Sequence, residues 1–399
     1  MRKENKMRIL YVSTLISEKK MNLIIENSNN KPLQSIQKFH RLICEGIAKN
    51  GISVKTLSSI PMSQKISKKI FWFDKKEIVN EVEYTYMPFI NLKIIRQIFT
   101  SIGIVFKIIK ECLKNKKEKI FICDILNTTI ATSTLILSKI FKFKCVAIVT
   151  DLPENIGKGI NKKINELMQS KYDGYIILTQ AMNEVINKNK KPYIVIEGIA
   201  NIEMKNSENK IGNKYKNKVC LYAGGLYAKY GVKNLIDAFL ELENKNIELH
   251  LYGSGELEEE IKKIKDKRVK YFGVVSNEKV VQEELKATLL INPRFTNQEY
   301  TKYSFPSKNM EYMASGTPIL TTKLPGMPKE YYKYIYIIED ESKNGMKNSL
   351  AKILNLPREE LYEKGRKAKE FVLKYKNNNI QSKKIINLCT EIMEENKNV

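Results

Sequence analysis

Short apolar runs of strand length recur along the chain, and most are followed by a segment with helical periodicity. Met7 to Ser13 is the first such run, and Val219 to Ala223 opens a second series. Strands buried on both faces are continuous apolar runs and belong to parallel sheets covered by helices. The pattern predicts an α/β chain with doubly wound parallel sheets. The other predicted strands are Ile52 to Leu57, Glu81 to Met87, Ile120 to Asp124, Cys145 to Asp151, Asp173 to Thr179, Tyr193 to Gly198, Ile247 to Tyr252, Val269 to Phe272, Leu289 to Asn292 and Thr317 to Thr322.

A polar segment separates the two series of strands. Residues 201–218 are rich in Asn and Lys and contain few apolar side chains, which is typical of a linker. A chain of 399 residues is long enough for two domains with full cores. We therefore predict a first domain at residues 1–200, a linker at 201–218, a second domain at 219–375 and a C-terminal helix at 376–399.

The chain is strongly basic, with 69 Lys and Arg against 44 Asp and Glu and a net charge of +25. Such a balance is compatible with nucleic acid, an anionic membrane or an anionic substrate. The lysines are spread along the chain among many Asn and Ile residues, a bias that a genome rich in A and T also produces. No nucleic-acid-binding signature is present, so we predict no nucleic-acid partner.

Cysteine usage and hydropathy indicate a cytoplasmic protein. The six cysteines form no close pair and have no metal-ligand spacing with the two histidines, so we predict free thiols of a reducing compartment and no metal site. Residues 1–6 are charged and no signal-peptide core follows them. No window of about 18 residues is free of charge, so no transmembrane helix is expected.

Residues 89–119 form a long helical pattern rich in Ile and Phe. Basic residues lie within it and cluster at its end, at positions 93, 96, 107, 110, 114, 116, 117 and 119. An apolar face with a basic rim suits a helix that lies on an anionic membrane surface. A core-packed amphipathic helix with solvated lysines fits the same pattern, and the sequence leaves both interpretations open.

The stretch from Tyr303 to Gly316 combines a helix start, a cation, a carboxylate and a helix stop. Pro306 and Ser307 favour a helix N-terminus, and the glycine favours its end. The helix N-terminus, with its free amide groups and positive dipole, suits a phosphate.

Lys308 and Glu311 lie three residues apart, on one face of this helix. Beside a bound phosphate, the glutamate is placed to accept hydrogen bonds from two hydroxyls, such as the cis-diol of a ribose. The alternative is a solvated ion pair worth about 0.2–0.5 kcal/mol. The buried strand that follows within a few residues favours the nucleotide interpretation, because it continues a doubly wound sheet.

Two glycine turns follow strands of the second domain and resemble anion-binding loops. Gly224 and Gly225 come directly after Ala223, and Gly253 and Gly255 come after Tyr252. The alternative is that these turns are only tight strand-to-helix connections. Arg294, after the strand at 289–292, is the cation that we expect to face a diphosphate.

Polar side chains of the first domain follow its predicted strands or begin a helix. Asp124 and Asp151 end strands, and ligands of doubly wound sheets bind at the carboxyl ends of strands. Gln37 and His40 lie at the start of a helix predicted from Ile36 to Asn50, after a long polar stretch from Glu18 to Ser35. A single histidine on a helix face with no chemical role is the alternative for His40.

The run Phe305-Pro306-Ser307-Lys308, followed by Glu311, resembles the donor-site motif of retaining nucleotide-sugar glycosyltransferases of family 4. The resemblance covers almost the whole chain and is strongest to bacterial members that build capsular and other surface polysaccharides. It implies the GT-B fold, in which two Rossmann-like domains face each other across a cleft and a C-terminal helix crosses back to the first domain. It implies a nucleotide-sugar donor and a sugar or lipid-linked saccharide acceptor. No protein nucleophile and no metal are implied.

Family positions assign roles to the candidate residues. Tyr303 stands where the wider family has a glutamate that contacts the sugar, and Tyr230 stands where relatives have a lysine, which leaves the neighbouring Lys229 to supply that charge. Relatives also carry a histidine at the position of Thr150 and keep the aspartate after it. The implied catalytic residues are Asp151, Lys229 and Lys308; the donor nucleotide is bound by Gly224, Gly225, Gly253, Gly255, Arg294, Phe305, Pro306, Ser307, Lys308 and Glu311; Tyr303 faces the donor sugar; and Gln37, His40 and Asp124 face the acceptor.

Relatives usually have an arginine near the position of Gly225. Two other functions remain open because of the departures at Gly225, Tyr230 and Tyr303 and because of the basic charge. The first is a catalytically silent relative that serves as an interaction subunit of a polysaccharide assembly complex. The second is nucleic-acid binding driven by charge, which would weaken steeply with salt.

Overall fold

The computed structural model describes residues 7–26, 34–64, 66–114, 118–152 and 160–395. The chain divides into two compact units, which are described separately. Unit 1 consists of Met1–Ile199 and Asn378–Val399, and unit 2 of Ala200–Asn377. Among the described residues, no helix is both long enough and apolar enough to cross a membrane.

Unit 1 contains an eight-stranded sheet in the order β10-β9-β8-β7-β1-β2-β5-β4, with β4 antiparallel to its neighbour and the other strands parallel. A separate two-stranded antiparallel sheet pairs β3 with β6. The strands are β1 (Arg8–Ser13), β2 (Ser53–Ser58), β3 (Phe71–Trp72), β4 (Glu77–Val79), β5 (Val82–Tyr86), β6 (Phe89–Ile90), β7 (Lys119–Asp124), β8 (Lys144–Val149), β9 (Gly174–Ile177) and β10 (Tyr193–Val195). The helices are α1 (Glu18–Glu26), α2 (Gln34–Lys49), α3 (Lys93–Leu113), α4 (Thr128–Ile140), α5 (Ile160–Gln169), α6 (Gln180–Ile186) and α13 (Asn378–Glu394).

Unit 2 contains a fully parallel six-stranded sheet in the order β13-β12-β11-β14-β15-β16. The strands are β11 (Lys218–Ala223), β12 (Ile247–Tyr252), β13 (Val269–Tyr271), β14 (Leu289–Asn292), β15 (Ile319–Thr322) and β16 (Tyr336–Ile338). The helices are α7 (Val232–Leu240), α8 (Glu258–Lys262), α9 (Asn277–Lys286), α10 (Ser307–Ser315), α11 (Lys343–Leu354) and α12 (Arg358–Tyr375). Two parallel sheets with crossover helices confirm the predicted doubly wound α/β class.

The strand order changes direction once in each sheet. In unit 1 the switch lies between β1 and β7, and in unit 2 between β11 and β14. Ligands of doubly wound sheets bind at the carboxyl ends of the strands on either side of such a switch. The topology therefore marks the ends of β1 and β7 in one unit, and of β11 and β14 in the other.

Two predictions from periodicity were wrong in part. The polar stretch from Glu18 contains α1, because Met21, Ile24 and Ile25 recur at helical spacing and are buried; residues 27–33 lie outside the described residues. The helix predicted over residues 89–119 is shorter, because Phe89 pairs in β6 and stacks on Trp72 at 6.0 Å. Lys116 and Lys117 of the predicted basic cluster lie outside the described residues, which continue at residue 118.

Residues 201–218, predicted as a linker, are packed within unit 2. Short 3-10 turns occupy Ile202–Asn206 and Ile211–Asn213, and β11 already begins at Lys218. Lys214 donates hydrogen bonds to the carbonyls of Leu285 and Ala287, each at 2.9 Å, and to the Thr317 hydroxyl at 2.8 Å. Polar composition does not distinguish a free linker from a segment that satisfies backbone acceptors of its own domain.

The C-terminal helix α13 packs on α2 in unit 1. Gly46 lies at the contact, because a Cβ at this position would be 2.2 Å from the Asn378 carbonyl oxygen. The Ser382 hydroxyl donates to the Ile43 carbonyl at 3.0 Å. The two helices therefore approach backbone to backbone.

The Gly46→Ala substitution should lower the free energy of unfolding by about 1–3 kcal/mol, because the added methyl group forces α13 away from α2. Gly103→Ala is the matched control, since it also lies in a helix of unit 1 but the nearest atoms to its Cβ would be those of Met87, at an ordinary contact distance of 3.7 Å. Alanine is the better helix former, so the control should be neutral or stabilising by up to about 1 kcal/mol. Urea unfolding of both variants tests the expectation, and equal stability of the two would contradict it.

Candidate active site

Two strand-to-helix turns of unit 2 meet backbone to backbone. The Gly224 amide, after β11, donates to the Tyr252 carbonyl at 2.8 Å, and the Leu226 amide donates to the Ser254 carbonyl at 2.9 Å. Gly253 has φ +125°, and a Cβ there would lie 1.8 Å from the Gly224 oxygen. Only glycine fits this conformation and this contact. The turns predicted as an anion cradle thus form one joint backbone surface, which is half-buried at Gly224 and Gly225.

Lys308 extends across this surface from the first turn of α10. A Cβ on Gly224 would be 2.1 Å from Lys308 Cε and 2.4 Å from its Nζ. Pro306, the N-cap of α10, supplies no side-chain hydrogen bond to the helix start, and the first turn of the helix carries the positive end of its dipole. A lysine ammonium and a helix N-terminus therefore converge on the Gly224 turn.

A second cation of the site is Arg294, which follows β14. Its guanidinium lies over the ring of Tyr230 at 4.6 Å and over the ring of Tyr300 at 5.7 Å. Its Nε is buried and has no hydrogen-bond partner among the residues that the structure describes. Two aromatic rings therefore fix the arginine in place without neutralising its charge.

Tyr230 joins these cations to the glycine turn. A Cβ on Gly225 would be 3.2 Å from the Tyr230 ring, and Lys229 lies over the same ring at 5.2 Å. The Tyr222 hydroxyl donates to the Gly225 carbonyl at 2.8 Å. Burial raises the pKa of Tyr222, and the nearby Arg294 opposes that rise. Tyr230 thus supports the cations at a position where the family resemblance implied a lysine.

Glu311 lies half-buried one turn into α10 and accepts a hydrogen bond from Asn277 Nδ2 at 2.8 Å. Asn309, two residues earlier, accepts from Asn292 Nδ2 at 2.7 Å, which ties α10 to the end of β14. These amides hold the helix and one carboxylate oxygen in position.

The remaining predicted donor residues lie around the start of α10 and at the second glycine turn. Phe305 is buried, with its ring 5.2 Å from that of Tyr331, and Pro306 is buried beside it, whereas Ser307 is exposed. Tyr303 is half-buried at the end of a 3-10 turn over Glu299–Lys302. A Cβ on Gly255 would be 2.3 Å from the Leu226 oxygen. Phe305 therefore positions the start of α10 as a core residue.

Three of the predicted residues of unit 1, Gln37, His40 and Asp124, lie at its switch point, between β1 and β7. Gln37 binds the loop after β1: its Oε1 accepts from the Ile16 amide at 2.9 Å, and its Nε2 donates to the Thr14 carbonyl at 2.8 Å. The side chain is 4% exposed. Gln37 thus fixes the conformation of this loop.

His40 forms a buried cluster with Tyr11 and Asp124. The Tyr11 hydroxyl and His40 Nδ1 share a hydrogen bond, and His40 Nε2 lies 3.4 Å from Asp124 Oδ2. Asp124 Oδ1 accepts from the Leu126 amide at 3.0 Å. Burial is the largest cause of a strongly raised pKa at Tyr11, and the charges of Cys44 and Asp124 add to it. His40 has 0% exposure, which favours a role in positioning the strand ends over direct contact with an acceptor.

Asp151 differs from this cluster because it is exposed, after the end of β8. Its Oδ1 accepts from the Leu152 amide at 2.8 Å. No group of His, Cys, Asp or Glu within the described part of the chain has the arrangement of a metal site.

The structure brings together most of the predicted donor residues, which lie in unit 2, and separately the residues at the switch point of unit 1. Sequence analysis missed Tyr11, Tyr222, Asn277 and Tyr300. Tyr11 lies in an apolar strand and Asn277 is 34 residues from Glu311, so no local spacing marks either residue. Tyr230, next to the predicted Lys229, was the one position in the sequence that pointed to an aromatic contact with a cation.

Residues 203–370 match the family model described as glycosyl transferases group 1. No curated protein matches the chain. The folds of solved glycosyltransferases match nearly its whole length. Sucrose-phosphate synthase from Thermosynechococcus elongatus has a TM-score of 0.70 at 12% identity, with 97% of this chain and all of that chain covered.

Two further solved structures have the same fold at similar identity. HepE from Anabaena, in complex with UDP-glucose, has a TM-score of 0.61 at 13% identity and covers 98% of this chain and 100% of its own. The lipopolysaccharide outer core galactosyltransferase WaaB has a TM-score of 0.58 at 15% identity, with 96% and 99% covered. Identities this low show the fold alone, which is GT-B. Together with the family match, they support a GT-B glycosyltransferase.

Tyr11→Phe should lower the free energy of unfolding by about 1–3 kcal/mol, because it leaves a buried ring nitrogen of His40 without its hydrogen-bond partner. Tyr84→Phe is the matched control: its hydroxyl is also buried in unit 1 but has no partner among the described residues. Removing it should be neutral or stabilising. Chemical denaturation of both variants measures the difference, and a Tyr84→Phe cost as large as that of Tyr11→Phe would refute the cluster.

Proposed function

We propose that the protein is a retaining glycosyltransferase of family 4 that moves a sugar from a nucleotide-diphosphate-sugar to a sugar or lipid-linked saccharide acceptor in surface polysaccharide synthesis. The observation that carries the proposal is the approach of Lys308 to the bare backbone at Gly224, at the start of α10. A helix N-terminus with a lysine over a glycine turn has the chemistry of a site for a phosphate or diphosphate.

The chemical task at this site is to stabilise charge on the departing nucleotide diphosphate. Lys308 and the α10 amides act on one side of the Gly224 turn, and Arg294 and Lys229 act from the Tyr230 side. Each charge-assisted hydrogen bond to the phosphate oxygens contributes about 1.5–3 kcal/mol. Because Tyr230 and Tyr300 hold Arg294 in advance, little reorganisation is needed when the charge develops.

Glu311 is proposed to bind the ribose hydroxyls. Its Oε1 is engaged by Asn277, at 2.8 Å, which fixes the orientation of the carboxylate before the nucleotide arrives. Gly224, Gly225, Gly253 and Gly255 allow the nucleotide to approach the backbone.

Retention follows from the family resemblance, in which the acceptor attacks from the face that the leaving phosphate occupies. Lys229 and Lys308 stabilise the leaving group, and Asp151, which is exposed after β8, is proposed to act on the acceptor. Tyr303 is proposed to lie by the donor sugar. The cluster of Gln37, His40 and Asp124 orders the strand ends on the acceptor side. No metal takes part in this scheme.

The alternative, a catalytically silent interaction subunit, rests on Gly225, Tyr230 and Tyr303, where family contacts are absent. The stacking of Arg294 on Tyr230 at 4.6 Å favours the enzyme, because it restores a fixed cation at the site. Since HepE has been solved with UDP-glucose, UDP is the first nucleotide to test.

Thermal melting with UDP, GDP and ADP tests the donor site, first with EDTA and then with magnesium. A nucleotide at a hundred times its Kd should stabilise the protein by about 2.7 kcal/mol. One nucleotide should raise the melting temperature equally with and without metal. Glu311→Gln should abolish the rise, whereas Glu259→Gln, at an exposed glutamate of α8, should keep it. No rise with any nucleotide would favour the silent subunit.

Gly224→Ala should weaken nucleotide binding at least about tenfold, or ~1.4 kcal/mol, because the new methyl group occupies the position of Lys308 Cε. Gly212→Ala is the matched control, since a Cβ there would have no heavy atom within 4 Å. Isothermal titration with the stabilising nucleotide measures both. Equal affinity of the two variants would show that Lys308 does not contact the nucleotide from this position.

The product settles the stereochemistry. With the activated sugar that the nucleotide screen selects, the new glycosidic bond should have the anomeric configuration of the donor, as read by proton NMR coupling constants. An inverted product would overturn the proposed retention and leave the donor site intact.

A further inference from the structure

Helix α3 of unit 1 has two apolar faces. One face is buried and contains Thr100, Ile104 and Ile108, which are at most 5% exposed; α3 contacts α4, β6 and β2. The other carries large apolar side chains that face solvent, and it is called here the α3 outer face. Its members are Ile95, Ile98, Phe99, Ile102, Phe106 and Leu113, with exposures from 39% to 74%, and the half-buried Ile109.

The geometry of a helix shows that this face is continuous. At about 100° per residue the seven side chains fall within an arc of about 100°, and from Ile95 to Leu113 they run for about 27 Å. Soluble monomeric proteins rarely expose an apolar stripe of this length, and such stripes mark an interaction surface.

Lysines line one edge of the α3 outer face. Lys110 and Lys114 are exposed and Lys107 is half-buried, and their helical positions place all three on the same flank. None of the three makes a salt bridge within the described ranges of the chain. A shallow groove is lined by Phe106, Lys107, Ile109, Lys110, Leu113 and Lys114. Apolar and cationic groups therefore line one concave surface.

The lysines at this edge lie close enough to repel one another. Partial burial is the first cause of the lowered pKa of Lys107, followed by the charges of Lys55 and Lys110; Glu111 opposes them and Lys114 adds to them. Lys55 is itself compensated, at 2.9 Å from Glu83 and 3.1 Å from Glu111. An anionic partner would relieve the repulsion that remains at the edge.

We propose that the α3 outer face binds the surface of an anionic lipid bilayer, with the apolar side chains among the acyl chains and Lys107, Lys110 and Lys114 at the headgroup phosphates. A helix with these two properties lies in the interface plane, without spanning the bilayer. A second copy of the chain fits less well, because each copy carries a net charge of +25 and would bring its own lysines to the contact. The proposal rests on α3 alone and does not depend on the donor site.

Vesicle flotation of the full chain tests the proposal without nucleotide. The protein should float with vesicles that contain phosphatidylglycerol and remain below vesicles of phosphatidylcholine alone, with at least a tenfold difference in partitioning. Each lysine at an anionic surface contributes about fivefold, so binding should fall steeply between low and high salt. The proposal is overturned if the wild-type protein does not bind anionic vesicles, or if it binds both kinds of vesicle equally.

Substitutions separate the apolar and the charged contributions. Ile102→Gln with Phe106→Gln and Leu113→Gln should abolish flotation, and Lys110→Gln with Lys114→Gln should reduce it about 25-fold. The matched control changes three exposed apolar residues on other helices of unit 1, Leu23→Gln, Leu167→Gln and Ile380→Gln, and should still float. Loss in the control alone, or equal loss in both sets, would place the lipid contact elsewhere.

Light scattering after size exclusion distinguishes a second copy as the occupant. A dimer that the triple α3 substitution converts to monomer would overturn the lipid assignment, whereas a wild-type monomer that floats supports it. Nucleotide-dependent melting of the same variants should be unchanged, so a failed donor site and a failed lipid surface give different results.

Discussion

The contact between the turns after β11 and β12 is the constraint on which the proposed site depends. A parallel sheet ends all its strands at one edge, so the loops at a switch point compete for the same space. Here glycines at 224 and 253 resolve the competition by bringing backbone directly against backbone. The space thus left above Gly224 is the space that Lys308 crosses. The cation, the helix start and the free backbone are therefore consequences of one packing arrangement.

Aromatic rings position Arg294, as the glycine turn leaves the position that Lys308 occupies. Tyr230 and Tyr300 restrict the guanidinium through their faces, and such contacts do not consume its hydrogen-bond donors. A carboxylate partner would have held the arginine as firmly but would have neutralised it. This explains how the chain keeps a fixed positive charge at the turn although Tyr230 stands where the family resemblance implies a lysine.

The two units use their switch points differently. Unit 2 presents cations and a helix N-terminus at the edge, whereas unit 1 buries a tyrosine, a histidine and an aspartate beneath it. Such a cluster orders the strand ends because each polar group would cost free energy if it moved from its partner. Helix α3 of the same unit shows the reverse arrangement, because it exposes apolar side chains that pack on nothing in the described part of the chain.

The sequence alone determined the doubly wound class, most strand positions and the start and end of α10. It also placed Lys308 and Glu311 on one helix. These results follow from local periodicity and from residues that begin or end helices. It did not distinguish a free linker from the packed segment at 201–218, and it missed Tyr11, Tyr222, Asn277 and Tyr300. It left the lysine-edged helix α3 open between core and surface. Tertiary structure decided these points. The order of the strands in the sheet determines which distant side chains become partners and which face of a helix is exposed to solvent. No spacing along the chain contains that information.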